Sequence, residues 1–134
     1  MKVVFDTNVL LTAFLTEGIC AKLLIRARKR QFQLLISPYI LREFDKVLSE
    51  KFLSSERQIK EAHQLILEAT HLVEPPSSLV TGVCRDPDDD QILSCAVDAK
   101  VDYLVSGDSD LLELQEFQGI KIVSPKAFES LFED

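Results

Sequence analysis

Two rhythms of apolar residues alternate along this chain of 134 residues. Short unbroken runs such as Val3-Val4-Phe5 and Leu34-Leu35-Ile36 are followed by stretches in which apolar positions recur every three or four residues. The short runs predict buried strands at residues 2–5, 33–36, 102–106 and 120–123, with a further short extended segment at 79–83. The longer rhythm predicts helices at 8–16 and 19–30, broken near Gly18, then at 38–52, 55–72, 88–99, 108–114 and 126–132. Start signals support these limits. Ser37-Pro38 and Ser124-Pro125 each pair an N-cap with proline at the first helical position. Ser55-Glu56-Arg57-Gln58 reads as a capping box, and Asp88-Asp89-Asp90 opens its helix with charges the helix dipole favours. Pro75-Pro76-Ser77-Ser78 reads as a loop. Strands alternate with helices from end to end, with no long linker and no repeat. The expectation is one α/β domain over 1–134, a three-layer α/β/α sandwich with a central parallel sheet of four to five strands.

Composition narrows the class. At 46% hydrophobic and 28% charged the chain is ordinary globular material. Its longest uncharged stretch, residues 31–41, is 11 residues, too short to span a bilayer. Asp6 arrives too early for a signal-peptide apolar region. Three cysteines, Cys20, Cys84 and Cys95, form no C-x-x-C pair. The expectation is a cytoplasmic protein with reduced thiols and no membrane partner. His63 and His71 have no cysteine or carboxylate at zinc-ligand spacing. No dinucleotide fingerprint, P-loop or G-x-S-x-G occurs.

Charge is unevenly distributed. The formal net charge is −7, yet residues 22–60 carry ten bases against four acids. Residues 86–116 hold ten acids against Lys100 alone. A basic stretch beside an acidic cluster suits a polyanion held near divalent metals.

Four carboxylates stand where solvation alone does not explain them. Asp6 directly follows the strand Val3-Val4-Phe5, and Asp108 follows Tyr103-Leu104-Val105 after Ser106-Gly107. Parallel topology brings both to one rim of the sheet, the rim where open sheets bind ligands. Glu43 shares a helix face with Ile40 and Val47, and an inward carboxylate is expensive unless it is paired or binds metal. Asp90 stands in the same relation to Leu93 and Val97. Asp89 stands equally well with Leu93 and Ala96, so periodicity does not choose between them. Two carboxylates roughly 5 Å apart repel by about 3 kcal/mol at an effective dielectric of about 20, so four in one pocket call for cations. Oxygen-only donors select Mg²⁺ or Mn²⁺.

These residues form a pattern. Val4-Phe5-Asp6-Thr7-Asn8-Val9-Leu10 resembles the opening of a PIN domain, whose first strand ends in D-T-N or D-T-S. The resemblance continues through Leu41-Arg42-Glu43-Phe44, Arg85-Asp86-Pro87-Asp88-Asp89-Asp90-Gln91-Ile92-Leu93 and Leu104-Val105-Ser106-Gly107-Asp108-Ser109-Asp110-Leu111. In this order the motifs cover about residues 3–125, and they are most similar to the small VapC-type toxin components of prokaryotic toxin–antitoxin systems. The resemblance implies a PIN-like, Rossmann-like fold and a metal-dependent endoribonuclease that hydrolyses RNA phosphodiester bonds with two Mg²⁺ or Mn²⁺ ions. It assigns catalytic metal coordination to Asp6, Glu43, Asp90 and Asp108, with Asp110 assisting or replacing Asp108. Asp90 is preferred because the family's acid directly precedes the short apolar run of that helix. Thr7, Asn8 and Ser106 then orient the ligands, Asp86 and Asp89 stay unassigned, and Arg42, Lys46 and Arg85 hold RNA phosphates. An antitoxin protein and a homodimer are the partners that the family implies.

Other classes fit less well. A haloacid-dehalogenase-type phosphohydrolase also carries an aspartate after its first strand, but wants a second two residues later, where Asn8 stands. A receiver-like domain wants paired acids ahead of its acceptor strand, and none is present. A catalytically silent PIN scaffold that binds RNA or a protein generally lacks one or more of the acids.

Overall fold

The computed structural model describes residues 1–52, 55–77 and 79–132. Its elements run β1 (Lys2–Phe5), α1 (Thr7–Leu15), α2 (Ile19–Arg28), β2 (Gln33–Ile36), α3 (Pro38–Lys51), α4 (Glu56–Ala69), β3 (His71–Leu72), α5 (Pro87–Asp98), β4 (Tyr103–Val105), α6 (Ser109–Leu114), β5 (Glu116–Phe117), β6 (Ile120–Val123) and α7 (Pro125–Glu129). The sheet has the order β3-β2-β1-β4-β6-β5, parallel throughout except for β5 against β6. β1 and β2 are each buried over their last three residues, as befits strands covered by helices on both faces. This is the expected α/β sandwich, with helices flanking a mostly parallel sheet. No single helix among the described residues is long and apolar enough to cross a membrane, and the apolar pair α1 and α2 is bent by 97°.

The predicted start signals act as such. The Ser37 hydroxyl accepts from the Ile40 amide at 3.2 Å with Pro38 behind it. Ser55 and Gln58 exchange both bonds of a capping box, at 2.9 and 3.2 Å. Ser124 caps α7 through the Ala127 amide. Phe5 of β1, Phe32, Phe128 of α7 and Phe132 pack edge-on and tilted against one another. Arg26 joins α2 to α7, with Nε and Nη2 forked on the Glu129 carboxylate at 2.9 and 2.6 Å. Its guanidinium lies 4.5 Å from the Phe132 ring centre.

Three elements differ from the sequence expectation. The helix expected to reach residue 72 ends at Ala69: Thr70 turns extended, its hydroxyl donates to the Ile66 carbonyl at 2.7 Å, and His71–Leu72 join β2. Residues 79–83 form no strand; the Val80 and Gly82 amides are taken by side chains of α5, as described below. Phe117 and Ile120 pair across Gln118 and Gly119, both at positive φ (50° and 85°), so a hairpin adds the edge strand β5. The sheet thus has six strands where four to five were expected, the extra ones being two-residue edges. Ser78 of the expected loop lies outside the described residues.

Candidate metal centre

The chain moves outward from β1 to β2 and β3, then returns to the other side of β1 with β4. Open α/β sheets bind ligands above the carboxyl ends of the strands at such a reversal. Asp6 stands there. Its amide still donates to the Val105 carbonyl at 2.9 Å, which continues the ladder one residue beyond β1, and the residue is only 5% exposed. The Ser106 hydroxyl donates to Asp6 Oδ2 at 2.8 Å and accepts from the Asp108 amide at 3.0 Å. Ser106 therefore couples the two strand-end acids. Asp108 caps α6: Oδ1 accepts from the amides of Asp110 and Leu111 at 2.8 and 3.3 Å, which leaves the second oxygen for the cleft.

A cleft of about 230 Å³ opens above these residues. Its floor is Asp6, Thr7 and Asn8, with Asp108 at one side. One wall is α3, which presents Tyr39, Glu43, Val47 and Lys51 at successive fourth positions. The opposite wall is the start of α5, with Asp86, Asp88, Asp89 and Ile92. Asp89, Asp108 and Asp110 each offer an oxygen within 4.8 Å of the others.

Asp90 does not reach this cleft. It is buried, and its two oxygens accept from the Gly82 and Cys84 amides at 3.1 and 2.9 Å. Ser94 and Asp98 continue that row of α5, one accepting from the Val80 amide at 2.7 Å and the other from the Ser77 amide and hydroxyl at 3.2 and 2.9 Å. The row 90, 94, 98 thus binds the incoming segment through its amides, the reason that segment is not a strand. Asp89 lies about 100° away around the helix, and it lines the cleft with the other acids where Asp90 was expected. Among the remaining expected residues, Ser106 holds Asp6 directly, and Thr7 and Asn8 line the cleft. Arg85 Nε lies 3.9 Å from Asp110 Oδ1 at the edge of the site, with the side chain 88% exposed. Arg42 and Lys46 line a neighbouring groove.

Crowding leaves an electrostatic mark. Asp89 is pushed up from the ordinary 3.8 to about 7, first by burial and then by the charges of Asp108, Asp6, Asp86 and Asp110. Burial also raises Asp6; the Ser106 hydroxyl and the amides of Asn8 and Thr7 oppose the rise, and the Asp108 charge adds to it. Cys84 is held protonated, pushed up to about 12 by burial, by its bond to Asp90 and by the surrounding acids, so it adds no thiolate. The donor set is therefore oxygen throughout and short of positive charge, which fits a hard divalent cation and not zinc.

The sequence left Asp86 and Asp89 without a role and did not single out Tyr39, Lys51 or Asp88 as cleft residues. For α3 the signal was present, since Tyr39 and Lys51 extend the Glu43–Val47 row by one turn each way. For Asp89 the signal lay in the polar row Asp90, Ser94 and Asp98, which marks a second face of α5 with its own partner.

Comparison with known proteins gives a consistent picture. A family model described as PIN domain matches residues 2–110. The uncharacterized protein MJ1680 of Methanocaldococcus jannaschii is 30% identical over 146 aligned residues, covering 99% of this chain and 92% of its own length. Among solved structures, the chain resembles VapBC2 from Rickettsia felis, a crystal structure bound to a DNA fragment from their promoter. The TM-score is 0.67 at 15% identity, covering 92% of this chain and 98% of the other. That likeness is one of fold.

Proposed function

The chain belongs to the PIN domain family, and from that premise we propose that it is a divalent-metal-dependent endoribonuclease, the toxin of a toxin–antitoxin pair. The observation that carries the reading is the crowding of Asp6, Glu43, Asp89 and Asp108 in one cleft at the sheet's reversal, with Asp110 beside Asp89 and Asp108. Nuclease chemistry is what the family brings. The RNA substrate and the choice of Mg²⁺ or Mn²⁺ are our own reading.

Asp6, Glu43, Asp89 and Asp108 would hold the metal, with Asp110 in support, and Asp90 serves the loop instead. Bound divalent ions supply an activated water and neutralise charge at the phosphate. The chain's own residues do the rest. Ser106 fixes the Asp6 carboxylate and, through the Asp108 amide, the start of α6. Lys51, on the α3 wall, brings a cation into an otherwise acidic cleft and is suited to a substrate phosphate. Arg85 at the rim, with Arg42 and Lys46 beyond α3, extends the path for the backbone. Both histidines lie outside the cleft lining, so the proton transfers fall to carboxylates and water.

Partners follow the same reading. Leu15, Ile19 and Ile25 on α1 and α2 are 40 to 50% exposed, an apolar surface suited to an antitoxin or to a second copy in a homodimer. A cytoplasmic location accords with both.

End-labelled structured and single-stranded RNAs, incubated with Mn²⁺, with chelator and with Asp6→Asn protein, test the activity. Metal-dependent cutting that the variant loses is expected. Cutting that survives chelator or the substitution would sink the assignment, and no cutting of any RNA would favour the silent scaffold.

A further inference from the structure

A second groove, of about 310 Å³, runs along the outer side of the α3 wall and is lined by Tyr39, Arg42, Glu43 and Lys46. Tyr39 and Glu43 line the acidic cleft as well, so one ridge of α3 separates the two hollows. Tyr39 is the hinge of this arrangement. Its hydroxyl donates to Asp88 Oδ1 at 2.6 Å, which ties the ring to the start of α5. A ring held in this way loses little freedom when something stacks on it. Arg42 and Lys46 are exposed, one helical turn apart, and pair with no acid among the described residues. The chain carries a net charge of −7, yet here two cations without an acid partner among the described residues stand beside a tethered aromatic ring.

We propose that this groove is a nucleotide subsite: a base next to the scissile bond stacks on Tyr39 while its phosphate lies on Arg42 and Lys46. The inference rests on the ribonuclease reading above and adds to it a residue that positions single-stranded substrate. The chemistry favours a polynucleotide over an acidic peptide. Both would use the cations, but only the nucleotide has a flat π-face to match the tethered ring, and stacking of that kind is sequence-tolerant. Glu43 serves both hollows, so a strand whose base occupies the groove has its next phosphate directed over the ridge into the cleft.

The test is steady-state cleavage of a short single-stranded RNA with Mn²⁺, comparing wild type with Tyr39→Leu, Tyr39→Phe and the double variant Arg42→Ala/Lys46→Ala. Tyr39→Leu is expected to raise KM about tenfold with a smaller effect on kcat, the loss of one stacked base. Tyr39→Phe keeps the ring and stays within about threefold of wild type, which assigns the effect to the ring and not to the hydroxyl's bond to Asp88. The double variant is expected to reduce the slope of log KM against log salt by about 1.4, two phosphate contacts on a single strand. The stabilisation of each variant by Mn²⁺ is measured alongside and should match wild type, which verifies folding and the metal centre. Active wild type with unchanged KM in Tyr39→Leu, or unchanged salt slope in the double variant, overturns the subsite and leaves the nuclease reading standing. Wild type that neither binds nor cuts RNA overturns both. Unchanged RNA kinetics with lost binding of a poly-glutamate peptide would assign the groove to a protein partner instead.

Discussion

Asp89 and Asp90 are neighbours of identical chemistry in one helical turn, and the fold gives them opposite tasks. Asp90 accepts hydrogen bonds from two backbone amides at 3.1 and 2.9 Å, whereas Asp89 faces other carboxylates and is pushed up to about 7 by burial and by their charges. Their amide variants should therefore separate cleanly. Asp89→Asn should lower cleavage by at least about 100-fold, as expected for a group whose charge serves the transition state, and weaken stabilisation by Mn²⁺. Asp90→Asn keeps one acceptor but turns an amide NH₂ donor toward the other backbone N–H, which costs about 1–3 kcal/mol, while the Mn²⁺ effect on the melting temperature persists. Urea unfolding and thermal melts with and without Mn²⁺ read both. The reverse outcome, a metal effect lost in Asp90→Asn and kept in Asp89→Asn, would return Asp90 to the cleft.

At the scale of elements, side chains as well as ladders decide what is a strand. Segment 79–83 is apolar enough to pair, yet Asp90, Ser94 and Asp98 at helical spacing take the amides of Ser77, Val80, Gly82 and Cys84 and dock that segment on α5. The opposite case is the β5–β6 hairpin, in which two residues at positive φ make a strand from a segment with little strand character. Gly119 sits at φ 85°, and nothing lies within 4 Å of a Cβ added there. Gly119→Ala meets no clash, so its cost is conformational alone: roughly 1–2 kcal/mol, with cleavage unchanged because the hairpin is at the far edge of the sheet from β3 and removed from the β1–β4 reversal. A denaturation midpoint equal to wild type would mean that the turn relaxes to another type.

On the scale of the molecule, the cleft makes stability depend on pH in an unusual sense. Asp89 releases its proton near the ordinary 3.8 when unfolded and near 7 when folded, and Asp6 shifts in the same direction. Between those values the folded state binds more protons than the unfolded state, so stability falls as pH rises. Glu129, held below its ordinary 4.5 chiefly by its hydrogen bond from Arg26, works in the opposite sense, but only below that value. In chelator the melting temperature should accordingly decline from about pH 5 to about pH 7 and then level off. Asp89→Asn should flatten the decline, and Mn²⁺ should oppose it by binding the folded state alone. A metal-free melting temperature that rises over this range, in wild type, would contradict the crowding of the acids.

Much of this was legible in the chain before any coordinates. Helix starts at Ser37, Ser55 and Ser124 are local chemistry, the parallel sandwich follows from alternating elements, and Asp6 and Asp108 reach one rim because each comes within three residues of the end of a buried strand. These features depend on a few neighbouring residues and on topology, both carried by sequence. Tertiary structure decided what no local rule could. A helix that opens with three aspartates offers carboxylates through some 200° of arc, and only the amides along 77–84 on one side and the acids beyond the ends of β1 and β4 on the other determine that Asp90 binds the loop and Asp89 the cleft. The edge strands β3 and β5 arose likewise, since two residues become a strand only when a neighbouring edge with unpaired amides and carbonyls is there to receive them.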